Sequence, residues 1–108
     1  MIVNFDVLPF VQHIKPTKRY KTGATLVAFP MSTEGNVEYI DEARQVFISI
    51  AQCSERDQYS KKIGRTTATA RAQEGEGLAL RFPKHASTEQ KREMILMLGQ
   101  VIAGQLIY

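Results

Sequence analysis

The sequence predicts an α+β domain: a small antiparallel β-sheet of three to five strands, with two helices packed on one of its faces. Two observations carry this prediction. Short runs of β-branched and aromatic residues, separated by turn residues, occupy the first half of the chain, whereas helical patterns appear only after Ser54. The chain has 108 residues, 44% of them hydrophobic, which is enough for one modest core. Residues 1–108 are therefore expected to form a single domain.

Four segments of the first half predict strands. The first, "IVNFDVLPFV" (2–11), alternates roughly and indicates a strand or a strand-like arm. The second, "ATLVAF" (24–29), is a β-rich run that the following proline closes. Residues 37–41 resume the alternation after a turn, and residues 44–52 form the strongest strand, with apolar side chains on both faces. The last three segments suggest an antiparallel meander.

Residues 55–73 predict the first helix, and Ser54 and Asp57 have the spacing of a capping box at its start. Gly64 lies inside it and allows another backbone or a ligand to approach the helix closely. At about 100° per residue, one stripe of this helix is expected to face the core, and it comprises Tyr59, Ile63, Thr66, Thr67 and Ala70. Two glycines end the helix before the short predicted strand 78–82.

Residues 88–107 predict the second helix, with Ser87 and Gln90 as a second capping box. Its apolar side chains cover more of the circumference than packing on one sheet face requires. They are Met94, Ile95, Leu98, Val101, Ile102, Leu106 and Ile107, extended by Leu96, Met97 and Ala103. Such a helix is either sandwiched within the monomer or buried in an oligomer. For so small a chain we expect a homo-oligomer.

Composition and charge limit the cellular compartment and the partners that we expect for the protein. The net charge of +3 is mild for a protein that coats duplex DNA non-specifically. Cys53 is the only cysteine, so an internal disulfide is impossible and a reducing compartment fits. The first ten residues lack the basic start of a signal peptide, and the apolar stretch 94–106 is too short and interrupted to span a bilayer. We expect a cytoplasmic protein without a membrane partner.

Catalytic motifs are missing from the sequence, so we expect no enzyme, no cofactor and no metal site. His13 and His85 lie in predicted loops, and neither belongs to a recognisable nucleophile–base arrangement. Asp41 and Glu42 are neighbours on a predicted strand, so their side chains are expected on opposite faces. Cys53 precedes a helix start, where a thiol pKa falls, but a small core residue is the commoner role of such a cysteine.

The first helix carries the main candidate binding surface. On the helical wheel Gln58, Lys62, Arg65 and Thr69 fall within a narrow arc and form a polar ridge beside the predicted core stripe. Few carboxylates share the ridge to neutralise its cations. A solvated helix face explains such a pattern too. A phosphate-bearing ligand explains it better, because guanidinium, ammonium, amide and hydroxyl groups all recognise phosphate, sugar or base atoms.

Each residue of this surface has a predicted role. Lys62 and Arg65 are expected to hold phosphate, and Gln58 and Thr69 to orient a sugar or base. Longer-range attraction is expected from the remaining two cations of the surface, Lys61 and Arg71.

A second basic patch lies in the predicted loop "QHIKPTKRYKTG" (12–23). It comprises Lys15, Lys18, Arg19 and Tyr20, and the aromatic ring permits base stacking or a cation–π contact. An ordinary charged loop would look the same. If the two patches converge in space, they make a groove of positive potential.

The segment "CSERDQYSKKIGRTTATARAQ" (53–73) resembles a pattern of small phage and prophage proteins, D-Q-aromatic-S-[K/R]-K-x-G-R, followed by a small-residue helix. Among characterised groups it is similar to the first family of Thoeris anti-defence proteins. That resemblance implies a small viral β-sheet-plus-helix oligomer in the infected host's cytoplasm. It also implies a sponge-like function, in which cyclic ADP-ribose-type or cyclic-oligonucleotide signals are sequestered without cleavage.

Two other functions remain open. The same cations suit a protein that binds single-stranded or duplex nucleic acid, with Tyr20 stacking on bases. They also suit a phage inhibitor that docks on a host protein through its basic face. The leading hypothesis is non-enzymatic binding of a phosphate-bearing nucleotide.

Overall fold

The computed structural model describes residues 2–14, 23–32, 40–52 and 61–105, with the side chains of 61 and 102–105 excepted. The elements are β1 Ile2–Val3, β2 Phe10–Ile14, β3 Ala24–Ser32, a 3-10 turn Ile40–Glu42, β4 Gln45–Gln52, α1 Lys61–Gln73, β5 Leu78–Arg81 and α2 Thr88–Gln105. They confirm the α+β class, with one antiparallel sheet and two helices. Residues 37–39 and the first capping box, Ser54 with Asp57, lie outside the described residues.

Strand β3 is the centre of the sheet. The two N-terminal strands pair with the same edge of β3, β2 with its first half and β1 with its end. On the other edge β3 pairs with β4, and β4 pairs with β5, so every pairing is antiparallel. The order along the main path is β1-β3-β4-β5. The first half of the chain thus supplies most of the sheet, as its β-branched composition predicts.

Several predicted boundaries differ from the structure. Residues 12–14 were predicted as part of a loop, yet they pair with β3 as the end of β2. The predicted strand 37–41 is wrong at its described end, because Ile40 begins a 3-10 turn there. The acidic pair Asp41–Glu42 is exposed on this turn. A 3-10 turn forms its hydrogen bonds within its own residues and needs no neighbouring strand. Alternation of apolar and polar residues does not distinguish such a turn from a strand.

The sequence predicts that Pro30 ends its strand, and this prediction is wrong. β3 continues through it to Ser32. Proline lacks an N–H donor, but β2 stops pairing at Ala28 and β1 starts pairing at Met31, so Pro30 lies between the two ladders. The Pro30 carbonyl still accepts a hydrogen bond from the Asn4 N–H at 2.9 Å. The proline occupies the gap where one neighbouring strand replaces the other.

The two helices lie on opposite faces of the sheet, so the prediction that both pack on one face is wrong. Leu26 and Ala28 of β3 belong to a buried cluster with Ile95 of α2. The alternate residues, Val27 and Phe29, belong to a second cluster with α1. Because successive side chains of a strand point to opposite faces, β3 is buried on both sides. Its unbroken apolar run reflects this double burial.

Helix α1 packs through its smallest residues. Ala68 and Ala72 are buried, and Gly64 lies against the side chain of Thr25 on β3. The predicted core stripe is therefore wrong: Ile63 is 67% exposed. Of its other described members, Thr66 and Ala70 are exposed and Thr67 is half-buried. Tyr59 lies outside the described residues. The helix sits too close to the sheet for large side chains, so the glycine and alanines turn inward.

Gly64→Ala is expected to destabilise the fold, although alanine favours helix by about 1 kcal/mol. The added Cβ would meet Thr25 Oγ1 in a close clash and Thr25 Cβ at 2.9 Å. Overpacking of this kind costs about 1–3 kcal/mol. Urea unfolding measures the difference, with Thr66→Ala on the exposed side of α1 as the control. A Gly64→Ala chain more stable than the wild type would contradict the close approach of α1 to β3.

The start of α2 follows the predicted capping box. The Ser87 N–H donates to Gln90 Oε1 at 2.8 Å, and the Gln90 N–H donates to Ser87 Oγ at 3.2 Å. This reciprocal pair satisfies two main-chain donors of the first turn. Further along, Ile95 is fully buried and Gly99 lies against Leu26. Local side-chain chemistry therefore fixes where α2 begins, and the sheet fixes which face it buries.

Candidate anion-binding site

The candidate site occupies one flank of α1. Lys62 and Arg65 are exposed, and Thr69 is half-buried one turn further along. Their spacing places them on one side of the sheet-facing stripe of Gly64, Ala68 and Ala72. The three side chains thus share a flank, as the helical wheel predicts.

Arg71 lies on the opposite flank. Its Nη1 donates a hydrogen bond to the Ile50 carbonyl oxygen at 3.0 Å. Strand β5 begins its pairing opposite Ile48, so no strand in the described part of the chain pairs with the outer edge of β4 at Ile50. Arg71 satisfies that carbonyl and ties the end of α1 to the sheet. Arg71 is therefore a structural contact of the α1 C-terminus, separate from the flank of Lys62 and Arg65.

The flank of Lys62 and Arg65 faces the other way, towards β3 and β2. Thr25, which Gly64 touches, is the cross-strand partner of His13 on β2. The Thr25 hydroxyl and His13 Nδ1 are 3.1 Å apart and hydrogen bonded. The first turn of α1 therefore lies near the end of the β2–β3 pair.

The start of α1 and the strand ends that flank the second basic patch are at the same end of the sheet. Residues 15–22 join β2 to β3, and the strand ends that they connect, Ile14 and Ala24, are paired. The patch residues Lys15, Lys18, Arg19 and Tyr20 lie outside the described residues, as do Gln58 and the side chain of Lys61. The topology nevertheless anchors both ends of the basic segment at the end of the sheet where α1 begins.

The charge of α1 is unbalanced. Residues 61–73 contain the cations Lys61, Lys62, Arg65 and Arg71 and no carboxylate. Within residues 2–14, 23–32, 40–52 and 61–105, the side chains of Lys62 and Arg65 form no hydrogen bond or ion pair. A guanidinium and an ammonium three residues apart on one helix face can bind neighbouring oxygens of one anion.

Histidines and acidic residues of the described part do not gather into a second site. His13 lies in strand β2 rather than in the predicted loop, which its alternation with Val11 could have revealed. His85 is exposed in the segment between β5 and α2. Among the described residues, no group of three His, Cys, Asp or Glu side chains is arranged to hold a metal ion. Cys53 lies outside them.

No helix in the described part of the chain has the length and apolar character needed to cross a membrane.

No family model matches this chain, and neither a curated protein nor a solved structure is significantly similar to it.

Proposed function

We propose that the protein binds and sequesters a phosphate-bearing nucleotide signal without turning it over. The observation that carries the proposal is the cationic flank of α1: Lys62 and Arg65 are exposed, without a bonded partner among the described residues, on a helix segment free of carboxylates. From the resemblance of residues 53–73 to phage proteins, we further propose that this activity serves viral counter-defence in the cytoplasm of the infected host cell.

The chemistry of the flank suits phosphate. Arg65 can donate two parallel hydrogen bonds to phosphate oxygens, and Lys62 adds a point charge one turn away. Thr69 adds a hydroxyl that can orient a sugar or base. The anchored ends of residues 15–22 lie at the same end of the sheet, so the second basic patch can complete the site. The proposed site therefore combines a described half on α1 with the segment between β2 and β3.

Arg65→Ala is expected to weaken nucleotide binding strongly. One charge-assisted contact contributes about 1.5–3 kcal/mol, which corresponds to a rise in the dissociation constant of about 10- to 150-fold. Calorimetric titration with a cyclic dinucleotide and with a cyclic ADP-ribose isomer measures the effect. Arg92→Ala, which removes an exposed cation of α2 on the other face of the sheet, is the matched control and should bind normally.

Two results would contradict the proposal. Binding that is unchanged in Arg65→Ala would remove the cationic flank from the site. Recovery of a cleaved nucleotide after incubation would show turnover instead of sequestration.

Salt dependence separates the proposal from nucleic-acid binding. A protein that tracks a nucleic-acid backbone loses affinity steeply with salt, by about one log–log unit for each phosphate neutralised. A small nucleotide held by few contacts should give a shallow slope. Tight binding of an oligonucleotide with a steep slope would favour the nucleic-acid function.

A further inference from the structure

We propose that the outer edge of β5 is the surface through which two copies of this chain pair. In the described part of the chain, β5 pairs only with β4 and ends the sheet. Its side chains are largely uncovered: Ala79 and Arg81 are exposed, and Leu78 is 51% exposed. An open strand edge is a template for another strand.

The main-chain direction fixes which groups of β5 are available. The Phe82 N–H donates to the Arg44 carbonyl oxygen at 2.8 Å, and Leu80 is the cross-strand partner of Val46. Main-chain groups alternate between the two edges of an antiparallel strand. The N–H and C=O groups of Ala79 and Arg81 therefore point outwards, away from β4.

A second copy satisfies these groups if it pairs antiparallel about a two-fold axis at Leu80. Ala79 then exchanges main-chain hydrogen bonds with Arg81 of the second copy, and the reverse pair forms by symmetry. Leu80 meets its own equivalent, and Leu78 lies opposite Phe82. The two sheets become one continuous sheet through this isologous contact.

Charge complementarity favours this antiparallel orientation. Glu76 lies just before β5 and Lys84 lies just after it, in the turn that follows Pro83, so antiparallel pairing brings Glu76 of each copy towards Lys84 of the other. Both side chains are exposed in the single chain. The strand is thus acidic just before β5 and basic just after it, so antiparallel pairing joins opposite charges at both ends and parallel pairing joins like charges.

Apolar surface beside β5 points to the same contact. Met97 and Val101 of α2 are 66% and 56% exposed, and Met94 is half-buried beside them. A groove of about 540 Å³ lies between this side of α2 and the segment after β5, lined by Pro83, Ala86, Met94 and Met97 among others. Pairing at β5 brings the two α2 helices to the same face of the joined sheet, so each copy can cover the other's apolar groove.

Sedimentation equilibrium of the full chain tests the interface without any nucleotide, so its outcome is independent of the proposed function. The wild type is expected to have twice the monomer mass of 12.2 kDa. Lys84→Glu brings like charges together at both ends of the interface and should raise the dimer dissociation constant about tenfold or more. The double variant Glu76→Lys/Lys84→Glu should restore the dimer, and Glu89→Lys on the far flank of α2 should leave it unchanged.

Ala79→Pro provides an independent readout. It removes an outward N–H while leaving the β4–β5 ladder intact, so a folded monomer is expected by circular dichroism and sedimentation. A monomeric wild type, an assembly larger than two copies, or a dimer unaffected by Lys84→Glu would overturn the proposal. If Ala79→Pro fails to fold, the charge-reversal pair decides.

Discussion

Leu26→Ala is expected to lower the free energy of unfolding by about 2–5 kcal/mol, the range for a leucine removed from a well-packed core. Leu26 is fully buried between β3 and α2, in the cluster that includes Ile48 and Ile95. Its Cδ1 also fills the space that a side chain at Gly99 would occupy. Neighbouring groups are held by the sheet and the helix, so they can collapse only partly into the cavity.

Urea unfolding measures this loss, and Leu8→Ala is the matched control. Leu8 is 80% exposed, so the same truncation there should change stability by less than about 0.5 kcal/mol. Hydrogen exchange in the Leu26→Ala chain should show weaker protection in α2 than in α1, because α1 packs on the other face. A loss at Leu26 as small as that at Leu8 would contradict the placement of α2.

Features that depend on neighbouring residues could be predicted from the sequence. The α2 capping box needs only Ser87 and Gln90, three residues apart, and both hydrogen bonds are present. Strand β4 is recognisable from its apolar residues alone, and it spans Gln45–Gln52, within a residue of the prediction. In both cases the pattern and the interaction lie in one short segment, so no knowledge of the rest of the fold is required.

Features that depend on distant partners could not be predicted. The path of the chain decides which face of the sheet a helix covers. Strand β3 is apolar on both faces, so its sequence is compatible with a helix on either one. The orientation of α1 is similar: hydropathy favours Ile63 inside, but the contact of Gly64 with Thr25 sets the helix too close to the sheet. Close packing against the sheet therefore favours a small residue over a large apolar one on the inner face of α1.

The candidate site also has features that could be predicted from the sequence and features that could not. The shared flank of Lys62, Arg65 and Thr69 follows from helical spacing alone. Helical spacing also separates Arg71 from them, but its hydrogen bond to the Ile50 carbonyl oxygen could not be predicted, because that bond depends on where β5 stops pairing with β4. A cation on a helix becomes a structural contact or a candidate ligand contact according to the carbonyls nearby, which residue type does not reveal.

Lys91 shows how strongly this distinction should affect stability. It is only 8% exposed on α2, and its Nζ donates to the carbonyl oxygens of Asp41 at 2.7 Å and Ala43 at 3.0 Å. The ammonium also lies 5.5 Å from the centre of the Phe82 ring. Lys91 therefore joins α2 to the residues that lead into β4, and its hydrogen bond to the Ala43 carbonyl oxygen is buried.

Lys91→Met is expected to lower the free energy of unfolding by about 3 kcal/mol, because hydrogen bonds from a charged donor contribute about 1.5–3 kcal/mol each and are not fully additive. Methionine retains the aliphatic packing against Phe82, so the decrease in the free energy of unfolding measures the contribution of the ammonium group. Lys62→Met, the same substitution at an exposed cation of α1, is the matched control and should change stability by less than about 0.5 kcal/mol.

Urea unfolding of both variants, at equal protein concentration, makes the comparison. In Lys91→Met, the amide of Ala43 should also exchange faster, since the 3-10 turn loses its link to α2. Equal stability losses at Lys91 and Lys62 would show that the ammonium of Lys91 does not hold α2 to this turn. A loss confined to Lys91 would separate the structural lysine from the exposed one, whose substitution should affect nucleotide binding instead.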